Sequence, residues 1–277
     1  MTLDVIHTAR IPMPHDYVFR PAGRPLSRWW SGSRVGPDAL DGPCLSFVIR
    51  HPSAGVILVD TGLHPDAHRS LADFGRPMRL VFRDLEPVGP PFDQQLRALG
   101  IEPEAVERVV MTHLHVDHTG AMRLLPNARF TCTRAEWTAA HRRLAAAKGY
   151  VAHHLPGAHR VQLIDPAVDG TRHGAFTHTV DLLGDGSIRL ISTPGHTPGH
   201  LSVLVRTGEH GDVLLVGDAA YTRRSIDEDV LPLITDDDRA SRTSMREIRE
   251  HIASAPRMLV VPTHDPSAWH ELRSASG

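Results

Sequence analysis

Four separate apolar runs in this 277-residue sequence each end on a histidine or an aspartate. RVVM leads into THLHVDHTG, residues 112–120. IRLIS leads into TPGHTPGH, residues 193–200. VLLVG ends on Asp218, and MLVVP on the histidine of THD, His264. Short apolar runs bounded by turn residues read as strands. Several are continuous rather than alternating, which suits strands covered on both faces. Ligand sites in α/β folds lie outside the carboxyl ends of strands. A fold for this chain therefore has to bring four such ends, and their side chains, into account.

More strands of the same kind surround these four. CLSFVI (44–49) and GVILVD (55–60) flank the turn-rich HPSA and read as a hairpin. ARFTCT, RVQLID and LSVLVR supply others. Helical patterns fall between them. FDQQLRALG stops at Gly100, residues 134–148 stop at Gly149, and residues 236–254 open with acids and keep Met245, Ile248 and Ile252 on one stripe. Strands interleaved with helices predict an α/β class with helices packed outside sheets. The length is within reach of one large domain, 1–277. Residues 10–42, with Trp29 and Trp30, and residues 71–91 read as irregular. Such stretches are lids, binding loops or contact surfaces. The first is a candidate pocket cover and a candidate homodimer contact.

Charge excludes some functions. With 30 basic and 32 acidic residues the net charge is -2, and no basic block marks a nucleic-acid surface. Cys44 and Cys132 sit inside apolar runs and read as buried small hydrophobes. The lack of a cysteine framework fits a reducing, cytoplasmic setting. The first residues show no signal-peptide pattern, and no apolar segment approaches membrane-spanning length.

The unusual count is histidine, at 20. One histidine on a loop is a weak signal. Four ligand-type side chains in six positions, His113, His115, Asp117 and His118, are a strong one, and imidazole with carboxylate suits Zn²⁺ or a similar ion. His196 sits at the tip of the Pro-Gly turn, and Asp218 and His264 close two further strands. Seven donors exceed one tetrahedral zinc. A reasonable division gives His113, His115 and His196 to one ion and Asp117, His118 and His264 to a second, with Asp218 bridging. Two such ions lie roughly 3.5–4 Å apart and share a hydroxide ionised near neutral pH. Asp60 reads as support for a ligand histidine, and His200 as structural. His153 and His154 read as surface or rim residues. His173, His178, His210 and His251 are expected in solvent.

HLHVDH, TPGHTPGH, the aspartate of GDAAYT and the histidine of PTHD, with the earlier DTG of residues 60–62, together resemble the metallo-β-lactamase superfamily. The motifs span residues 44–265. The resemblance implies an αββα sandwich, two mixed sheets with helices outside, and a dinuclear site at one edge of the sheets. True zinc β-lactamases carry Cys where His118 stands, and flavodiiron oxidoreductases Glu where His115 stands. The stretch VLLVGDAAYT and the downstream acidic helix look like the N-acyl homoserine lactonase (quorum-quenching lactonase) family. That family places a tyrosine three residues after the bridging aspartate, here Tyr221, to hydrogen-bond the substrate carbonyl region. The activity implied is opening of the lactone ring of N-acyl homoserine lactones by a metal-bridging hydroxide. Two Zn²⁺ ions are the expected cofactors, and Asp117 is the candidate acid for the leaving group. The alternatives are a thioesterase resembling glyoxalase II, another lactone or ester hydrolase, and a metal-binding protein without turnover.

Overall fold

The structure is a computed structural model, and it describes residues 1–21, 35–207 and 211–276. Trp29, Trp30 and His210 lie outside the described residues.

Two mixed sheets carry the fold. The first has seven strands in the order β4-β1-β2-β3-β5-β6-β7. These are β1 (Thr2–Met13), β2 (Leu40–His51), β3 (Gly55–Val59), β4 (Glu86–Pro87), β5 (Arg108–Val110), β6 (Arg129–Thr133) and β7 (Val161–Ile164). The second runs β13-β12-β11-β10-β9-β8. Its members are β8 (Thr171–His173), β9 (Phe176–Asp181), β10 (Ile188–Ser192), β11 (Leu201–Arg206), β12 (Asp212–Gly217) and β13 (Leu259–Pro262).

Alternation along the strands sets the layers. Leu45, Phe47 and Ile49 of β2 point inward and meet Leu190, Val203 and Leu215 of the other sheet. Val48 points outward. It packs with Val109 and Phe130 under Leu96 of α3 (Phe92–Ala98) and Ala139 of α5 (Arg134–Ala140). On the far side Leu204, Leu214 and Val216 pack under Met245 and Ile248 of α8 (Asp238–Ser254). Both faces of each sheet are therefore covered, which is why the central strands read as continuous apolar runs. The result is the expected α/β sandwich, helix–sheet–sheet–helix. The remaining helices are short or terminal: α1 (His15–Val18), α2 (Gly75–Val81), α4 (Val116–Thr119), α6 (Pro166–Asp169), α7 (Arg223–Asp227) and α9 (Pro266–Ser276).

Three expectations need correction. Residues 10–42 are not irregular at their ends. Arg10 and Ile11 belong to β1, and β2 begins at Leu40, the two pairing antiparallel from Thr2↔Arg50 to Met13↔Leu40. Residues 71–91 hold a 3-10 turn (Leu71–Phe74), α2 and β4. Phe74, Met78 and Leu85 from this stretch are buried in one cluster with Leu63 and Val116. The helix expected over 134–148 stops at Ala140, and a 3-10 turn follows at Ala145–Lys148. The chain then turns at Gly149, φ +99°, where an added Cβ would sit 3.0 Å from the His115 ring.

Candidate metal centre

The ligand-bearing ends come from both sheets and emerge on one side. β3, β5 and β6 are parallel in the first sheet. In the second, β12 and β13 are parallel, and β10 runs the same way because both it and β12 are antiparallel to β11. Asp60, residues 113–118, His196, Asp218 and His264 all follow carboxyl ends of these strands. The first cluster was expected on a loop, but Asp117 and His118 lie in the single turn of α4.

The seven donors converge. Ligand atoms of His113, His115 and His196 lie within 4.8 Å of one another, as do those of Asp117, His118 and His264. Asp218 stands between the two triads. Its Oδ2 is 3.6 Å from His196 Nε2, 3.9 Å from His113 Nε2 and 3.2 Å from His264 Nε2. Its Oδ1 is 3.5 Å from His118 Nε2. The structure thus brings together the residues of each expected set with Asp218 between them, and His113, His118 and Asp218 also group within 4.8 Å across the two sets.

Hydrogen bonds at the far nitrogens aim the rings. His264 Nδ1 donates to the Pro43 carbonyl at 2.9 Å. His118 Nδ1 donates to Asp60 Oδ2 at 2.8 Å. Thr112 Oγ1 gives its proton to the same carboxylate at 2.6 Å, so it accepts from His113 Nδ1 at 3.1 Å. In each case Nε2 is left to face the centre. Asp60 itself sits at φ +57°, a region that short polar side chains tolerate better than most. The Thr112 backbone N–H holds its other oxygen.

Electrostatics separate the histidines into two groups. Burial pushes His113 and His196 well below the usual histidine range, and His115 down to about 4. These rings are neutral donors at pH 7. Burial also acts on His118 and His264, but carboxylates outweigh it and raise both: Asp60, Asp218 and Asp117 for His118, Asp218 and Asp117 for His264. Asp218 is held well below the carboxylate range despite its burial, chiefly by His264 and His118. The buried carboxylates call for positive charge at this point.

The donor set fits a cation. His113 Nε2, His118 Nε2, His196 Nδ1 and Asp218 Oδ1 are buried without a hydrogen-bond partner. Leaving one such atom unsatisfied costs about 1–3 kcal/mol. Of these, the donors of His113, His118 and Asp218 lie within 4.8 Å of one another, which makes a site for a charged ligand rather than a packing accident.

Residues 39–264 match the sequence profile of the Metallo-beta-lactamase superfamily. The chain belongs to the metallo-β-lactamase superfamily. N-acyl homoserine lactonase AttM of Azorhizobium caulinodans is 37% identical over 244 residues, which cover 85% of this chain and 86% of that protein. Within the superfamily the chain is thus a member of the N-acyl homoserine lactonase family. AiiA of Bacillus thuringiensis subsp. kurstaki is 27% identical over 89% of this chain and 92% of its own. A solved N-acyl homoserine lactone hydrolase with N-hexanoyl-L-homoserine bound at its catalytic metal center superposes with a TM-score of 0.74. It is 24% identical and covers 98% of this chain and 95% of its own, and it confirms the fold. In this superfamily member the His/Asp clusters are a divalent-metal centre.

Residues of this superfamily member outside the donor set hold the centre in shape. His200 stays neutral, since burial drives it down to about 3. Both its nitrogens are engaged, Nδ1 with Thr193 Oγ1 and Nε2 accepting from the Asp218 backbone N–H at 2.9 Å. Gly217, φ +63°, leaves room for that ring: a Cβ there would lie 2.6 Å from His200 Nε2. Glu136 was not singled out from the sequence. It is fully buried on α5 and accepts from Leu114 N at 3.0 Å and Gly199 N at 3.1 Å. One carboxylate therefore ties the 113–118 segment to the 193–200 turn. Its only sequence signal is the Thr133-to-Glu136 spacing of a helix start, which points to capping. Thr133 does cap Glu136 N, but the Glu136 carboxylate turns to the loops instead.

Two histidine expectations are overturned. His154 is fully buried, not a rim residue, and His251 is buried against the Phe176 ring at 4.5 Å. His178 is exposed as expected.

Proposed function

We propose that the chain is a dinuclear-metal hydrolase that opens the lactone ring of N-acyl homoserine lactones. His113, His115 and His196 would hold one ion and Asp117, His118 and His264 the other, with Asp218 between them and Zn²⁺ as the fitting metal. When bound, the pair supplies Lewis acidity and a water ionised near neutral pH. The observation that carries the reading is two donor triads facing one carboxylate in a chain of the lactonase family.

The chain's own residues do the rest. Tyr221 is buried, its ring 5.7 Å from His196 of one triad and 5.3 Å from His264 of the other. Burial raises its phenol well above the usual range, so it remains a hydrogen-bond donor. Its phenol near both triads supports a role in holding the developing oxyanion of the lactone carbonyl. Asp117 Oδ2, 3.6 Å from His264 Nε2, is the group suited to return a proton to the ring oxygen as it leaves. Met13, Val18 and Phe19 pack with Tyr221 in an apolar cluster edged by Tyr17 and Leu40.

The test is hydrolysis followed by proton release on metal-quantified protein. Short- and long-chain N-acyl homoserine lactones are offered beside S-lactoylglutathione and a plain γ-lactone. Preference for the acyl homoserine lactones with about two metals per chain is expected. Preference for the thioester would replace the proposed substrate while leaving the hydrolytic site intact.

A further inference from the structure

Tyr221 is one of two phenols at the metal centre. The Tyr17 ring lies 5.9 Å from it, nearly parallel at 20°. Against the donor triads Tyr221 stands edge-on, at 70° to His196 and 86° to His264. The two hydroxyls are close enough to act on each other's ionisation, and both phenols are within electrostatic reach of the Asp117 and Asp218 carboxylates. Burial, more than those carboxylates, holds both phenols above the usual range, so both keep their protons at neutral pH. The surrounding cluster of Met13, Val18 and Phe19 gives no reason for a hydroxyl at residue 17, where phenylalanine would pack as well. A phenol in such surroundings calls for a polar partner.

The backbone fixes where Tyr17 stands. It belongs to the single turn of α1, which is too short to hold itself. The turn is docked on residues 231–238. Leu233 N donates to the Tyr17 carbonyl at 2.8 Å, and Arg20 N to the Leu231 carbonyl at 2.9 Å. The Arg20 guanidinium donates to the Pro232 carbonyl at 2.9 Å and to Asp238 Oδ1 at 2.9 Å. The same stretch is bonded to the turn that delivers His196: Asp236 N and Asp237 N both donate to the Gly195 carbonyl, at 2.8 and 3.0 Å. A run of hydrogen bonds therefore connects the His196 turn to α1, and Tyr17 is held in register with one of the triads that Tyr221 faces.

We propose that Tyr17 is a positioning residue for Tyr221: its hydroxyl donates to the Tyr221 oxygen and leaves the Tyr221 proton directed at the oxyanion that develops on the substrate. A phenol has one proton and can also accept. Were Tyr221 the donor in the pair, its proton would be engaged with Tyr17 and withheld from the substrate. With Tyr17 as donor, the two hydroxyls form a chain in which each bond polarises the next. Both protons stay on their phenols throughout, so the pair adds no proton-transfer step. Its effect falls on the transition state, where the oxyanion is formed, and not on binding of the ground state. The proposal rests on the oxyanion role of Tyr221 set out above and adds the group that aims it.

The experiment is a double-mutant cycle on the metal-loaded full chain: unaltered, Tyr17→Phe, Tyr221→Phe and the double variant. Metal content is quantified, and kcat and KM are measured separately with N-hexanoyl homoserine lactone. Tyr17→Phe should lower kcat about three- to tenfold, the scale of one hydrogen bond, with KM within about twofold and metal content unchanged. In the Tyr221→Phe background the same substitution should change kcat by less than about twofold, because the group it acts through is gone. An equal loss in both backgrounds overturns the proposal, since Tyr17 then works without Tyr221. No loss in either background overturns it as well, and so does a loss that follows falling metal content. Preference of the unaltered chain for S-lactoylglutathione or a plain γ-lactone defeats the lactonase reading alone. The cycle is then read on that substrate, where coupling of the two phenols supports the proposal and independence overturns it.

Discussion

At the scale of single residues, two side chains separate holding a metal from using it. Asp60 touches no substrate, yet it accepts from His118 Nδ1 and from Thr112 twice. Asp60→Asn keeps the size and tolerates φ +57°, but it removes the negative charge beside His118 and sets an amide NH₂ against a Thr112 or His118 donor, so some stability is lost along with support for the ligand ring. Zinc affinity is expected to fall about 10–100-fold, the usual cost of losing such a partner, read by competition with a chromophoric chelator. Undiminished affinity would show that Asp60 serves only the backbone. Tyr221 has the opposite profile. Tyr221→Phe should leave metal content unchanged and lower kcat by about 10²–10³, as expected for one oxyanion donor. Equal kinetics would return the phenol to packing with Tyr17, whose ring lies 5.9 Å away.

At the scale of elements, Glu136 makes one helix responsible for two ligand segments. Glu136→Gln retains the shape but turns an amide NH₂ toward Leu114 N or Gly199 N, donor against donor. We expect a loss of about 1–3 kcal/mol in unfolding free energy, measured by urea denaturation, together with weaker metal retention. A stable variant with full metal would mean that the loops hold themselves. This strap also marks the limit of what the sequence discloses. The donors His113 to His118, His196, Asp218 and His264 were legible because each closes an apolar run, so the strand and its ligand are read in one window. Glu136 lies far along the chain from Gly199, and nothing local pairs them. Asp73, whose carboxylate bonds His154 Nε2 at 2.6 Å, is as remote from it, which is why that histidine read as a surface residue. β1 was missed because TLDVIHTARIPM mixes charge, histidine and proline within a strand that only pairing with β2 identifies. The β8–β9 hairpin, rich in threonine and histidine, hid at the sheet edge for the same reason. A continuous apolar run needs no such partner, and the central strands, covered on both faces, were visible for that reason.

At the scale of the whole molecule, buried neutral histidines make the metal-free fold sensitive to acid. His115 and His154 are lowered to about 4 and His200 to about 3 by burial. Their folded values lie below the ordinary 6.5, so unfolding takes up protons between the two. Their contribution is complete above pH 6.5 and is lost as pH falls toward 4. Each proton contributes ~1 kcal/mol per pH unit in that window. His118 and His264, raised instead, carry protons in both states over most of this range and do not cancel the slope. Chelator-treated protein should therefore show a urea midpoint that drops steeply from pH 6.5 to 5. A flat midpoint would place charged histidines inside the fold. The division of donors between the sheets has a temporal consequence as well. His113, His115, Asp117 and His118 follow a strand of the first sheet, and His196, Asp218 and His264 follow strands of the second. A ribosome delivers the first group long before the second. The growing chain holds four of the seven proposed donors until the second sheet is made, and the last of them, His264, arrives only with that sheet's final strand. With the proposed ligand set, metal capture in its final form is thus a late event in the birth of the protein, and a chain interrupted before that residue would have no means of completing the second triad.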